Sequence, residues 1–314
     1  MNRYDRILVA GHTGMLGSAL VRTLRNAGYV NILTAGRQEA DLRDPASVKQ
    51  LFADLRPDHV LLAAARVGGI KANTQYPADF MYDNLMIQCN VIQQSRASSV
   101  STLMMIGSSC MYPRECPQPM TEDSLMTGPL EPTNEGYALA KIAGLRLAEY
   151  YHRQYGMRCL NPIPCNLYGT NDSFDPDDSH VLSALVRKFV DAAEDGAGEV
   201  VLWGTGSARR EFMHVDDCAR ALVFLADGYG SPEPVNVGWG TDISICDLAT
   251  LVADCAGYRG ELTWDSAMPD GMPRKCLDVS KLTSLGFRPL ITLERGIDMA
   301  IAEYRRLKGS GALS

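Results

Sequence analysis

A strand that runs straight into a glycine-spaced turn and then into a helix leaves a chain few folds to choose from, and this sequence begins with one. Arg6-Ile-Leu-Val-Ala is short and apolar. Gly11-His-Thr-Gly-Met-Leu-Gly follows at once and leads into Ala19-Leu-Val-Arg-Thr-Leu-Arg, a helix-like run. Gly11, Gly14 and Gly17 let the backbone turn tightly and bring a helix N-terminus, with its free N–H groups, against a pyrophosphate. A loop that needs glycines only for packing is the bland alternative; flanked by strand and helix, the triplet points to a dinucleotide.

The alternation continues. Strands are expected at Asn31-Ile-Leu-Thr, His59-Val-Leu-Leu-Ala, Leu103-Met-Met-Ile and Met157-Arg-Cys-Leu, with helical patterns between them. This implies an α/β chain with a doubly wound parallel (Rossmann) sheet. After about residue 165 the pattern turns irregular, with helix-like stretches at Val181 to Ala193 and Val215 to Ala226 among Pro, Gly and Asp clusters. The expected division is a cofactor-binding Rossmann domain over 1–164 and about 211–243, and a smaller α/β substrate-binding lobe over 165–210 and about 244–314.

Composition narrows the setting. At 314 residues, 46% hydrophobic and 21% charged, the chain has the balance of an ordinary soluble globular protein. No apolar run approaches the roughly 20 residues that span a bilayer, and the N-terminus leads into a strand rather than a signal sequence, so a cytoplasmic location is expected. Nine scattered cysteines without a C-x-x-C pair predict neither disulfides nor a zinc site, and no other metal is expected. A formal charge of -7 with no basic stripe argues against nucleic-acid binding. Any anionic ligand must be held by a few local cations.

Three stretches carry chemistry. The second strand ends Thr34-Ala-Gly-Arg37, and an arginine there suits the 2'-phosphate of NADP where an acid would suit NAD; Glu39 lies close, and a solvated Arg37 is the alternative. Tyr137-Ala-Leu-Ala-Lys141 opens a helical run, which puts phenol and ammonium on one face, where the cation should lower the tyrosine pKa. A core tyrosine beside a snorkelling lysine would be the ordinary reading of that pair alone. Gly107-Ser-Ser-Cys-Met-Tyr-Pro ends an earlier strand; if strand geometry persists, Ser108 and Cys110 face one side and Ser109 the other. Free cysteines are most often small buried residues, so Cys110 needs a reason to be more.

The glycine turn, Ser108 and Tyr137-x-x-x-Lys141 resemble the extended short-chain dehydrogenase/reductases, whose smaller C-terminal lobe binds a nucleotide sugar. Within them, Ala63-Ala-Ala-Arg-Val-Gly-Gly-Ile, Tyr76-Pro-Ala-Asp-Phe, Leu130-Glu-Pro-Thr-Asn-Glu, Arg210-Glu-Phe-Met-His-Val-Asp-Asp and Pro269-Asp-Gly-Met-Pro-Arg-Lys are similar to the GDP-L-fucose synthase family over nearly the whole chain. The resemblance implies a homodimeric epimerase and reductase acting on GDP-4-keto-6-deoxy-D-mannose with NADP(H). It implies Ser108, Cys110, Tyr137, Lys141 and His180 as catalytic residues. It places the cofactor on Gly11, Thr13, Gly14, Met15, Leu16, Gly17, Arg37, Asp41, Leu42, Ala63, Ala64 and Gly107, with Lys141, Pro164, Asn166, Leu167 and His180. The GDP portion falls to Lys188, Trp203, Arg210 and Asp270, with Arg274 and Lys275 nearby.

The resemblance supplies a reason for Cys110, and the chemistry agrees with it. A C4 ketone acidifies the hydrogens at C3 and C5, and inverting either centre needs a base on one face and an acid on the other. A thiol can be the base. The resemblance makes His180 the acid, and Ser179 before it looks like a helix N-cap that puts His180 in the first turn. His12, His59 and His152 read more simply as structural or solvent-facing, and His214 as a packing or capping residue. Thr13 and Lys188 stand where some relatives carry arginine, and Gly136 and Pro162-Ile-Pro-Cys depart slightly from their pattern. The same chemistry on another GDP-4-keto sugar, 3,6-dideoxy or heptose, is the nearest alternative. A GDP-sugar 4,6-dehydratase and a non-catalytic cofactor sensor are further ones.

Overall fold

The computed structural model describes residues 1–175, 179–267 and 271–312. Its first half runs β1 (Arg6–Ala10), α1 (Met15–Asn26), β2 (Asn31–Leu33), α2 (Pro45–Leu55), β3 (His59–Leu62), α3 (Ile70–Gln75), α4 (Pro77–Ala97), β4 (Thr102–Met105), α5 (Glu135–Tyr155) and β5 (Cys159–Leu160). The expected strands all form, each within a residue or two of its predicted bounds. They make one five-stranded parallel sheet in the order β2-β1-β3-β4-β5. Local signals start the helices: Asp44, followed by Pro45, caps α2 by accepting from Ala46 N and Ser47 N.

Strands β1, β3 and β4 are buried along nearly their whole length because helices cover both faces of the sheet. Alternation sorts their side chains. Ile7, Val9, Leu61 and Met104 pack with Leu20 and Leu24 of α1. Leu8, Ala10, Val60, Leu62, Leu103 and Met105 pack on the opposite face with Phe52 of α2 and Ile92 of α4. The order places the point of reversal between β1 and β3, where doubly wound sheets open a crevice at the carboxyl ends of the strands.

The second half runs β6 (Pro162–Pro164), β7 (Asn166–Tyr168), α6 (Val181–Asp195), β8 (Glu199–Trp203), β9 (Arg209–His214), α7 (Val215–Gly228), β10 (Val235–Val237), β11 (Asp242–Ser244), α8 (Ile245–Ala256), β12 (Glu261–Asp265), β13 (Arg274–Lys275), α9 (Ser280–Ser284) and α10 (Leu293–Ser310). Its strands are short. β6 pairs with β10, β8 with β12, and β9 takes β7, β11 and β13 as partners. A separate core gathers Leu185 and Phe189 of α6, Leu202 of β8, Val252 of α8 and Ile301 and Tyr304 of α10. Helix α7 instead covers the first sheet beside α1, through Cys218, Ala219 and Leu222. Leu277, Leu282 and Phe287 join that same face from late in the chain.

His214 caps α7, its Nδ1 accepting from Asp216 N, and is buried, as a capping histidine should be. All nine cysteines are unpaired. Among the described residues no helix is long and apolar enough to cross a membrane, and no group of side chains could hold a metal ion.

Candidate active site

A cleft of about 1570 Å³ opens beyond the carboxyl ends of β1, β3 and β4 and runs out under the second lobe. At one end the glycine turn forms its floor. Gly11 has φ +87, and a Cβ there would lie 2.6 Å from the backbone N of Ala64. A Cβ on Gly17 would overlap the Gly11 carbonyl. The turn therefore lets β1, β3 and the start of α1 approach more closely than side chains allow. Helix α1 starts behind Gly14 with no side-chain cap, so its first amides remain available to a ligand. Thr13, Met15, Leu16, Ala63 and Ala64 line this end, together with Asp41 and Leu42.

Two arginines stand at the rim. Arg43 is committed to Asp41 and Asp83, and its hydrogen bonds hold the Asp41 carboxyl down at about 2. Arg37 also lines the cleft and has no hydrogen-bond partner among the described residues. The nearby Glu39 is turned away to accept from Gly36 N at 2.6 Å.

The middle of the cleft holds the two sets of reactive side chains. Tyr137 and Lys141 project from the first turns of α5, whose entry is tight: a Cβ on Gly136 would sit 2.7 Å from the Pro77 carbonyl oxygen. Lys141 is 4% exposed, and its Nζ donates to Ile106 O at 2.9 Å, tying α5 to the end of β4. Burial pulls its pKa down to about 8. Nζ lies 5.9 Å from the centre of the Tyr137 ring. The expectation of a lowered Tyr137 pKa is corrected. Burial, reinforced by the negative charge of Cys110, raises it, and the hydrogen bond with the Ser108 hydroxyl pulls only partly the other way.

Strand geometry does not persist past Ser108. Ser109–Met111 forms a 3₁₀ turn, capped by Ser108 Oγ accepting from Cys110 N at 3.3 Å. Ser108 and Cys110 still reach the same cleft, through the turn rather than through alternation. Two donors converge on the half-buried thiol: Asn134 Nδ2 and Lys275 Nζ, each 3.3 Å from Cys110 Sγ. Lys275, expected beside the diphosphate, thus lies against the sulfur. Asn134 was not singled out by its sequence. Its signals are its place just before the Tyr-x-x-x-Lys helix and within the Leu130-Glu-Pro-Thr-Asn-Glu stretch.

His180 also lines the cleft, but it is itself the N-cap residue of α6 rather than a first-turn residue. Ser179 does not cap the helix; its hydroxyl is buried without a partner. Behind His180 lies Asp172, which accepts from Ser173 N and Ser183 Oγ. Burial raises its carboxyl, while the charge of His180 opposes the rise.

The far end is built from the second lobe. Lys188, whose Nζ donates to Val201 O at 2.7 Å, Arg210 and the 69% exposed Trp203 line it, as does Trp264, which the sequence did not suggest. Arg274 does not reach the cleft lining; it pairs with Asp242, which also holds Arg209, and so binds β9, β11 and β13 together. Asp270 lies outside the described residues. Beneath this end the buried Glu211 accepts from Gly240 N at 2.7 Å and Leu277 N at 2.8 Å, and burial pushes its pKa up to about 7. Pro164, Asn166 and Leu167 also line the cleft, as does Gly107, whose N donates to Pro162 O at 2.8 Å.

Comparison with known proteins finds relatives over nearly the whole chain. Residues 7–238 match the NAD dependent epimerase/dehydratase family. GDP-L-fucose synthase 1 of Arabidopsis thaliana is 50% identical over 299 residues, 95% of this chain and 93% of the relative. Among solved structures, a GDP-L-fucose synthetase from Naegleria fowleri bound to NADP superposes with a TM-score of 0.91 at 27% identity, covering 100% of this chain and 98% of that one. A GDP-6-OMe-4-keto-L-xylo-heptose reductase from C. jejuni superposes with a TM-score of 0.90 at 34% identity, covering 99% of each chain.

Proposed function

The chain belongs to the NAD dependent epimerase/dehydratase family, and from that premise we infer that it is an enzyme converting GDP-4-keto-6-deoxy-D-mannose to GDP-L-fucose, by inversion at C3 and C5 followed by reduction at C4. The observation that carries this reading is the meeting of a cysteine and a Tyr–Lys pair in one cleft. A reductase alone would need only the pair, and a 4,6-dehydratase would carry an acidic pair after Ser108 in place of Ser109-Cys110-Met111. A cofactor sensor would have no use for either set. The 50% identity to a GDP-L-fucose synthase over 95% of the chain favours the fucose precursor over the heptose analogue.

The glycine floor fits a dinucleotide, since Gly11 and Gly17 leave no room for a Cβ against the backbone of β3 and of the turn, and the close packing this allows presents the uncapped amides of α1 to a diphosphate. Gly11, Gly14 and Gly17 would hold the diphosphate, Lys141 the nicotinamide ribose, and Arg37 a 2'-phosphate, which makes the cofactor NADP(H). When bound, it supplies the hydride that reaches C4. Cys110, as thiolate, takes a proton from C3 or C5 and becomes a thiol, and the released electron pair moves onto the C4 oxygen. Ser108 and Tyr137 donate hydrogen bonds to that oxygen. His180 delivers a proton to the opposite face of the carbon and is recharged from solvent, so each inversion carries solvent hydrogen into the sugar. In the reduction Tyr137 gives its phenolic proton to the forming alkoxide. Its raised pKa keeps it in the protonated form that this step consumes.

Lys188, Trp203 and Arg210 would meet the GDP portion, whereas Arg274 is taken up by Asp242. A homodimer, as the resemblance implies, belongs to the same reading. The unpaired cysteines fit a cytoplasmic enzyme.

The test is to incubate the enzyme with NADPH and, separately, GDP-4-keto-6-deoxy-D-mannose, its 3,6-dideoxy analogue and a GDP-4-keto-heptose, and to identify products by NMR. GDP-L-fucose should form fastest. Turnover confined to the heptose or the dideoxy sugar would overturn the assignment.

A further inference from the structure

Asn134 occupies the N-cap position of α5, where an asparagine side chain ordinarily accepts from an amide of its own helix. Here it makes no such bond. Its Nδ2 donates to Cys110 Sγ at 3.3 Å, and its Oδ1 is buried without a partner. The side chain has exchanged a local cap for a contact with a sulfur on a different element, three residues before Tyr137 on the helix that carries the Tyr–Lys pair.

We propose that Asn134 is a positioning residue for epimerisation, holding the Cys110 sulfur in register with Tyr137 and Lys141. The proposal rests on Cys110 being the base. The 3₁₀ turn that carries Cys110 fixes its backbone but leaves its side chain free to rotate. Lys275, arriving from β13, supplies charge at the end of a flexible stem, whereas the amide supplies a directed donor from the rim of α5. Together the two set the line along which the sulfur meets a C–H bond beside the carbonyl that Tyr137 grips. When Cys110 has taken the proton, the electron pair sits on the C4 oxygen and the sulfur bears an S–H in need of an acceptor. The unpartnered Oδ1 can be that acceptor after a rotation of the amide. One side chain then serves both protonation states of the base.

The test separates proton transfer from hydride transfer. Deuterium incorporation from D2O into C3 and C5 reads the first. A single turnover of GDP-L-fucose with NADP+ reads the second, because oxidation at C4 needs no inversion. Asn134→Ser keeps a good N-cap residue but cannot reach the sulfur. It should cut exchange about 10- to 100-fold while NADPH formation stays within about 3-fold of the parent. Asn134→Asp, of the same shape but facing the sulfur with a carboxylate, should exchange more slowly still. Exchange at the parental rate in Asn134→Ser overturns the proposal. So does an equal loss of both activities, which would mean that the residue merely seats α5. Cys110→Ser run in parallel tests the premise separately: parental exchange there would remove the base itself.

Discussion

Tyr137 and Lys141 stand one helical turn apart on α5, whereas Cys110 and His180 reach the same cleft from a 3₁₀ turn and a helix cap in different lobes. The pair assigned to hydride transfer owes its geometry to one helix, and a bond from Lys141 to Ile106 O helps tie that helix to the end of β4. The proton pair owes its geometry to tertiary docking. The donors on the Cys110 sulfur come from 24 and 165 residues away in the sequence. On the proposed mechanism, local geometry thus positions the reduction, and long-range geometry positions the inversions that set this enzyme apart from a simple reductase.

The sharpest way to break this comparison is to remove one arm at a time. Tyr137→Phe should lower NADPH oxidation by about 10³-fold or more while leaving solvent deuterium exchange at C3 and C5 detectable. Cys110→Ser and His180→Asn should do the reverse, losing about 10²- to 10⁴-fold in overall turnover with cofactor affinity kept within a few-fold. The His180 variant should also slowly release a 6-deoxy sugar of D configuration, reduced without inversion. If each variant lost both activities together, the two arms would be one unit and the contrast would fall.

A smaller effect is expected at the cofactor rim. Arg37→Ala should raise the KM for NADPH about 10- to 100-fold, as the loss of a charge-assisted phosphate contact implies, and barely change that for NADH. Equal efficiency with both cofactors in the parent enzyme would leave Arg37 a solvated charge.

The smallest effect concerns what it costs α5 to hold a buried ammonium. Lys141 has a folded pKa of about 8 against an ordinary 10.5, so between those values the unfolded chain keeps a proton that the folded chain has released. Stability attributable to this group therefore rises with pH across that window. Lys141→Met should melt above the parent at pH 7, by about 1 to 2 kcal/mol once the lost bond to Ile106 O is counted, and the gap should close by about pH 10.5. Thermal melts of the ligand-free protein at the two pH values check this. A gap that widened with pH would reverse the sign assigned to Lys141.

The first sheet was legible because its signals are short in range. Strand β1, the glycine turn and α1 occupy consecutive residues, and Tyr137 and Lys141 share a helix, so periodicity alone placed them. The proton site was less legible for the opposite reason. Alternation along Gly107-Ser-Ser-Cys assumed a strand, but the chain closes into a 3₁₀ turn as Ser108 caps Cys110 N. Ser179 looked like a cap by type, yet His180 takes that position. The pKa of Tyr137 was misjudged in direction, because spacing reveals a neighbouring lysine but not the depth at which both are buried. Lys275 reaches the Cys110 sulfur, and Trp264 the cleft, through strand pairings distant in sequence, β13 on β9 and β12 on β8.

Glu211 gives that long-range assembly an order in time. Its carboxylate clamps the amides of Gly240 and Leu277, and the clamped segment is the one that carries Lys275 to Cys110. On the ribosome, Gly11, Gly14 and Gly17 emerge among the first residues, whereas the lysine that reaches the Cys110 sulfur follows it by 165 residues. The thiol is completed only when the stretch around Leu277 has been synthesised and seated on Glu211. A nascent chain thus carries the Cys110 sulfur through most of its synthesis before the ammonium that faces it exists.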